Sequence, residues 1–282
     1  MTPAGAAVGR LLVCPTPIGN LEDVTLRVLD ALRDADVVAC EDTRHTRVLL
    51  DRHGIRTPLL SLHEQNERAR AAQIVRRVSA GELVALVSDA GTPLVSDPGF
   101  AVVRACLADG LAVEVLPGAS AVVTALVASG LPAGRWCFVG FLPRRRGELE
   151  ELLLDSPETL VAFESPRRLA GTLALLAERE PGRPAAVCRE LTKLHEEVRR
   201  GPVSELAEHY GANPARGEVV LVLGAAAGGA AAGGTAELAE ALAALREIVA
   251  SGAKARPAAA AVGRLTGLAP NELYRELTRS GQ

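Results

Sequence analysis

The chain has 282 residues, 48% apolar, 23% charged and 2% aromatic. That is a globular composition, and its length predicts two domains. A formal charge of -3 gives no bulk electrostatic sign of a polyanion partner, and five cysteines without a C-x-x-C pair argue against a disulfide scaffold or a zinc-cysteine cluster.

The start, "MTPAGAAVGRLLVC", lacks a charged segment followed by a long apolar core, and no apolar run approaches the ~20 residues of a membrane helix. A cytoplasmic protein with no membrane segment is expected, with its cysteines as buried free thiols. "RLLVC" reads as the first strand. "VTLRVLDALRDA" follows as a helix with Val24, Val28, Leu29 and Leu32 on one stripe. "DVVAC", "LVALVS" and "AVEVLP" are further short strands. Between the last two, "SDPGFAVVRACLADG" reads as a helix capped by Asp97, with Pro98 at its first position and Gly110 closing it. These elements make a first domain over 9–117.

"GASAVVTALVASGLP" is a helix crossing into a second domain, 118–224. Its strands are "WCFVGFL", "TLVAFE", "AAVCRE" and "EVVLVLG", and "SPRRLAGTLALLAER" is a helix with Ser165 as N-cap and Pro166 next. Residues 225–234, Gly/Ala-rich, are a linker. Residues 235–282 form a small helical appendage: one helix to about 250, then two short ones with a turn at Gly267 and Pro270 opening the last. Residues 246–282 carry six Lys/Arg against three Asp/Glu, so the rest of the chain holds about -6. Strands alternating with helices predict an α/β fold, its sheets largely parallel and covered on both faces.

Ligands of open α/β sheets bind beyond the carboxyl ends of the strands. Polar, small-residue clusters occupy those positions: "PTPIGN", "EDTRHT", "SDAGTP" and "PGAS" in the first half, "LPRRR", "ESPRR" and "RELTKLHEE" in the second. Seven on one edge predict a long shared cleft. The chain has no G-x-x-x-x-G-K-[ST], no H-E-x-x-H and no G-x-S-x-G. Walker-type hydrolysis, a zinc centre and a nucleophile elbow are therefore not indicated, and no metal is expected. The first turn is Pro-rich, which disfavours a pyrophosphate on the first helix. A nucleoside ligand without phosphate fits better.

Taken together, "PTPIGNLEDVTLRVLDAL", "CEDTRHTRVLL", "LVSDAGTPLVSDPG", "VLPGASAVVTAL", "FVGFLPRR", "FESPRRL" and "RELTKLHEEV" resemble the 16S ribosomal RNA cytidine 2'-O-methyltransferases. These belong to the tetrapyrrole-methylase-like, class III S-adenosylmethionine-dependent methyltransferases. The resemblance runs through about 10–224 and on into the C-terminal helices. It implies a homodimer of two-domain chains, each with S-adenosylmethionine in the cleft between its α/β domains. The substrate would be a decoding-centre cytidine of 16S rRNA within the 30S subunit. Asp89, Ala90 and Gly91 of "SDAGTP" would face the cofactor. Pro17, Gly19, Ser120, Ala121, Phe163, Glu164, Leu191, Glu218 and Val219 would complete its site.

Lys193, held by Glu190, would act on the acceptor hydroxyl, either as a cation lowering its pKa or, if neutral, as a base. His45, His63 and His195 are alternative bases. Asp97 would contact the site or only cap its helix. RNA would be held by Arg44, Arg47, Arg144, Arg145 and Arg167, and by Lys254 and Arg256 of the appendage. Two rival readings are a porphyrinogen or precorrin C-methyltransferase and a non-catalytic ribosome-binding factor.

Overall fold

The computed structural model describes residues 9–63, 65–226, 233–266, 268 and 270–279, with backbone only at 233–239, 264, 271, 272 and 279. Most of the expected linker, 227–232, and the expected turn at Gly267 lie outside the described residues. Five strands, β1 (Arg10–Val13), β2 (Val37–Cys40), β3 (Leu59–Ser61), β4 (Leu83–Leu86) and β5 (Ala112–Val115), form a wholly parallel sheet ordered β3-β2-β4-β1-β5. Alternate side chains leave opposite faces, so both need cover. Leu12, Val38 and Ala85 pack with Val28 and Leu32 of α1 (Leu26–Asp34) and with Leu49 and Leu50 of α2 (Thr43–Arg52). Leu11, Val37, Val84 and Leu86 pack with Ile74 and Val78 of α3 (Glu67–Ser79) and with Val102 and Cys106 of α4 (Phe100–Ala108). The expected stripe of α1 faces this core, and Thr25 Oγ1 caps that helix by accepting from Val28 N at 3.2 Å.

The second sheet contains β6 (Trp136–Phe141), β7 (Thr159–Glu164), β8 (Pro184–Arg189), β9 (Glu197–Pro202) and β10 (Val219–Leu223), ordered β6-β7-β10-β8-β9. It departs from the parallel expectation. β10 runs antiparallel between β7 and β8, and β9 is antiparallel to β8. The segment joining β8 to β9, residues 190–196, is too short for the dozen or more residues of a parallel crossover. α5 (Ala121–Ser129) covers one face, setting Val122, Ala125 and Leu126 against Val161, Ala186 and Val220. α6 (Arg146–Leu153), α7 (Leu169–Arg179) and α8 (Val203–Ala212) cover the other. Ile18, from the loop after β1, joins the α5 core and so knits the two sheets together.

Two expected caps are corrected. α4 starts at Phe100 with Gly99 at N-cap (φ 130°), so Asp97 does not cap it. Glu67 Oε1 on α3 takes that place, accepting from Gly99 N at 2.9 Å and Ala101 N at 2.8 Å. α7 starts at Leu169. Ser165 and Pro166 lie in the turn before it, and Ser165 contributes its carbonyl to Arg168 N and Leu169 N. Gly110 (φ 68°) follows α4 as expected.

Four of the five cysteines are buried, Cys137 is half-buried, and all are free thiols. α9 (Gly233–Ala250), α10 (Ala255–Thr266) and α11 (Pro270–Arg279) pack around Leu245, Val262 and Leu273, with Pro270 at the first helical position. The buried Arg183 ties three chain segments, donating to Gly224 O, Leu153 O and Glu180 Oε2 at 2.6 Å each. Arg183→Met should destabilise the protein by about 3 kcal/mol, because two carbonyls and a carboxylate lose their donor in a dry place. The denaturant midpoint would show it.

Candidate active site

Because the first sheet is parallel, the carboxyl ends of β1, β2, β4 and β5 share one edge. In the second sheet β6, β7 and β8 run in one direction, and the amino end of β10 joins their carboxyl ends. The seven polar clusters therefore lie on matching edges, as the strand count required.

The loops on the first edge are tied together. Thr16 N donates to Gly91 O at 2.9 Å and Gly91 N to Thr16 O at 3.0 Å. Thr16 Oγ1 donates to Ser88 O, Ser88 Oγ to Gly91 O, and Thr92 Oγ1 to Ala119 O, all at 3.0 to 3.1 Å. "PTPIGN", "SDAGTP" and "PGAS" thus form one braced platform. Gly91 has φ 79°, and an added Cβ would meet Ile18 at 3.4 Å, an ordinary contact, so the demand for glycine comes from the backbone. Gly91→Ala should cost roughly 1 kcal/mol of backbone strain, read as a drop in thermal midpoint.

Two adjoining cavities open along the joint. The larger, about 440 Å³, has apolar walls that include Ile18, Val122, Phe163, Val219 and Val220. Its polar side chains include Asp97, Ser120, Glu164 and Glu218, and among the described residues no Lys, Arg or His lines it. The smaller, about 340 Å³, is bordered by Pro17, Gly19, His45, Asp89 and Lys193, and shares Ile18, Ala90 and Glu218 with the first.

A latch closes the second domain on the first. A Cβ on Gly19 would lie 2.5 Å from Lys193 Cγ, so only glycine lets these loops meet. Asn20 N donates to Thr192 Oγ1 at 3.0 Å. Lys193 Nζ lies 3.0 Å from both Glu190 Oε1 and Glu218 Oε2, and Glu190 Oε1 also accepts from Glu218 N at 2.9 Å. The Glu218 amide and then Lys193 hold the Glu190 carboxyl below the usual range. Burial pulls the Lys193 ammonium down, but its two carboxylate partners outweigh it and the net shift is upward. Of the two roles expected for Lys193, this arrangement favours the cation over the neutral base. Glu190 and Thr192 adopt positive φ (50° and 66°), and Gly217 (φ 80°) gives the Glu190 side chain room.

Of the expected cofactor residues, Ala90, Gly91, Ser120, Ala121, Phe163, Glu164, Glu218 and Val219 line the larger cavity. Pro17, Gly19 and Asp89 line the smaller, and Leu191 sits in the core beside Ile18, lining neither. Asp89 Oδ1 accepts from Asp42 N at 3.0 Å, bracing the β2 loop. The Glu164 carboxylate is engaged within its own domain by Ser165 N, Thr172 Oγ1 and Arg168. Sequence reasoning passed over Val95, Phe141, Pro166 and Gly217; only their closeness to the quoted clusters marked them.

Among the expected RNA contacts, Arg144 and Arg167 are exposed, with no ion pair among the described residues. Arg44 pairs with Asp42 and Arg145 with Glu148. Arg47 turns inward to Thr57 O at 3.5 Å. Lys254 is exposed on the appendage, and Arg256 lies over the Tyr274 ring at 5.3 Å. Among the described residues no His/Cys/Asp/Glu group is arranged to hold a metal, and no helix is long and apolar enough to cross a membrane.

Residues 10–207 match the family profile described as Tetrapyrrole (Corrin/Porphyrin) Methylases. A protein of Mesorhizobium japonicum named Ribosomal RNA small subunit methyltransferase I is 45% identical over 280 residues, 98% of this chain and 93% of its own. A Thermotoga maritima protein of the same name is 44% identical over 218 residues, 77% of this chain and 98% of its own. Among solved structures, uroporphyrin-III C-methyltransferase from Thermus thermophilus superimposes with a TM-score of 0.56 at 28% identity, covering 77% of this chain and 94% of that one. Another structure of that enzyme, complexed with S-adenosyl homocysteine, shares the fold with a TM-score of 0.54 at 23% identity over 77% of this chain and 97% of that one. The braced glycine loop, the cleft between two α/β sheets and the length of these matches place the chain in the tetrapyrrole methylase family, among the ribosomal RNA small subunit methyltransferases I.

Proposed function

We propose that the protein transfers a methyl group from S-adenosylmethionine to the ribose 2'-oxygen of a decoding-centre cytidine in 16S rRNA, within the 30S subunit. The observation that carries this reading is the 45% identity over nearly the whole chain to a relative named for small-subunit rRNA methylation. The larger cavity fits the cofactor. Glu164 and Glu218 and a lining without cationic side chains among the described residues suit a sulfonium, and the apolar walls suit an adenine. Bound there, S-adenosylmethionine supplies an electrophilic methyl group. The backbone of Ala90 and Gly91 would flank the sulfonium, Phe163, Val219 and Val220 the adenine. Ser120 makes no capping hydrogen bond, so its hydroxyl and the first turn of α5 are available to the methionine carboxylate.

With the electrophile in place, the protein's remaining work is in-line positioning and exclusion of water. The platform and the latch supply the positioning. Lys193 would act as a fixed cation near the acceptor, with Glu190 as its holder. Arg44, Arg144, Arg145 and Arg167, all exposed near the cleft edge, would meet RNA phosphates, because surface ion pairs are weak enough to exchange for them. Lys254 and Arg256 would extend this surface. Exposed Val123 and Val127 on α5 support a homodimer, and a cytoplasmic location follows from a ribosomal substrate.

The test is methyl transfer from labelled S-adenosylmethionine to 30S subunits lacking their native modification, to naked 16S RNA and to a reduced porphyrinogen. Label on 30S is expected. Label on the porphyrinogen alone would favour the tetrapyrrole reading, and cofactor binding without any transfer would favour a non-catalytic ribosome-binding factor. Deleting residues 235–282 should weaken RNA affinity more than cofactor affinity, checked by titrating each; equal RNA affinity would make the appendage structural.

A further inference from the structure

Asp97 lines the larger cavity beside Val95 and Ser96. Its expected task as a cap has been taken over by Gly99 and Glu67. Among the described residues it makes no hydrogen bond and no ion pair. The backbone around it is held in an uncommon shape: Leu94 and Ser96 have φ 73° and 66°, and Gly99 has φ 130°. Such conformations persist only where the surroundings over-determine them. The charged groups facing this region are Glu41 after β2, Asp89 after β4, Glu67 on α3, and Glu164 and Glu218 among the cavity's own lining residues. All are acidic.

We propose that Asp97 is the catalytic base, receiving the proton of the acceptor hydroxyl as the methyl group is transferred. The inference rests on the methyl-transfer reading above and deepens it. The hydroxyl oxygen bonds to the methyl carbon, the carbon–sulfur bond breaks with its electron pair going to sulfur, and the hydroxyl proton passes to the Asp97 carboxylate. A sulfonium cation and a carboxylate become a neutral thioether and a neutral acid, so charge balances, and solvent later takes the proton. Lys193 cannot play this part, because its carboxylate partners keep it protonated. Burial first, then Glu41 and Asp89, push the Asp97 carboxyl up to about 7, where a base of this kind is most effective near neutrality.

The experiment compares wild-type, Asp97→Asn and Asp97→Glu proteins for S-adenosylmethionine affinity and for single-turnover methylation of unmodified 30S subunits across a pH series. The wild-type rate should rise with pH and then level. Asp97→Asn should lose about 10²–10⁴-fold in rate and flatten the profile, with cofactor affinity within about threefold. Asp97→Glu should recover part of the loss. An Asp97→Asn rate close to wild type would overturn the assignment. So would a loss explained wholly by weaker cofactor binding, which would make Asp97 a sulfonium holder. Failure of wild-type protein to methylate 30S would overturn the RNA reading and this inference with it.

A thermal scan adds an independent readout. Because the folded-state pKa lies above the ordinary 3.8, folding favours the protonated acid, and stability from this group falls as pH rises through about 7. Asp97→Asn should therefore raise the melting temperature by clearly more at about pH 8 than at about pH 5, because the loss accumulates between 3.8 and about 7. No gain at the higher pH would show a solvated carboxylate and overturn the assignment.

Discussion

Ala121→Trp is expected to abolish cofactor binding while leaving the fold intact. Ala121 opens α5 and lines the larger cavity from the margin of the core, whereas Val122, Ala125 and Leu126 are the residues of that helix buried in it. An indole at position 121 would enter the space between the platform and β10 without displacing the core. Calorimetric titration should show the dissociation constant for S-adenosylmethionine rising by about 100-fold or more, a loss of about 2.7 kcal/mol, with an unchanged circular dichroism spectrum. Wild-type affinity would place the cofactor elsewhere.

Lys193→Met should spare cofactor affinity and slow methyl transfer by about 100-fold. Lys193 stands between Glu190 and Glu218, and without its ammonium the two carboxylates face each other unneutralised. The same loop carries Thr192 to Asn20, so the closure of one domain on the other loosens with it. Single-turnover rates on 30S subunits at saturating cofactor separate this effect from binding. Wild-type turnover would remove Lys193 from the chemistry. Its upward-shifted pKa also means that Lys193 does not change charge near neutrality. A rate that climbs through neutral pH therefore reports on another group, which is the role assigned to Asp97.

The first sheet was legible because each of its buried strands is a short run of Val, Leu, Ala and Cys, separated by helices with regular stripes. β3 and β9 escaped for opposite reasons. "LLS" is only three residues long, and "EVRRGP" is a charged edge strand whose partnership with β8 leaves no apolar alternation. The mixed direction of the second sheet was hidden by the same omission, since a helix-strand alternation looks parallel until β9 is counted.

The site followed a similar rule. Loops at strand ends could be named from Gly, Pro and Ser-Asp clusters, while eight of the cofactor residues that the family resemblance implied line the larger cavity. Leu191 could not be told from its polar neighbours, because its side chain turns into the core while Glu190 and Lys193 stay outside. Asp97 was ambiguous because Asp-Pro before an apolar run is a helix start by every local criterion. The competing cap, Glu67, lies thirty residues upstream, and only the packing of α3 against α4 brings it there.

The most direct single measurement is mass spectrometry of nucleosides from unmodified 30S subunits incubated with the protein and S-adenosylmethionine bearing a deuterated methyl group. Deuterated 2'-O-methylcytidine is the expected product. Deuterium on a base carbon or nitrogen, or none in the RNA while the cofactor still binds, would contradict ribose methylation as the work of this cleft.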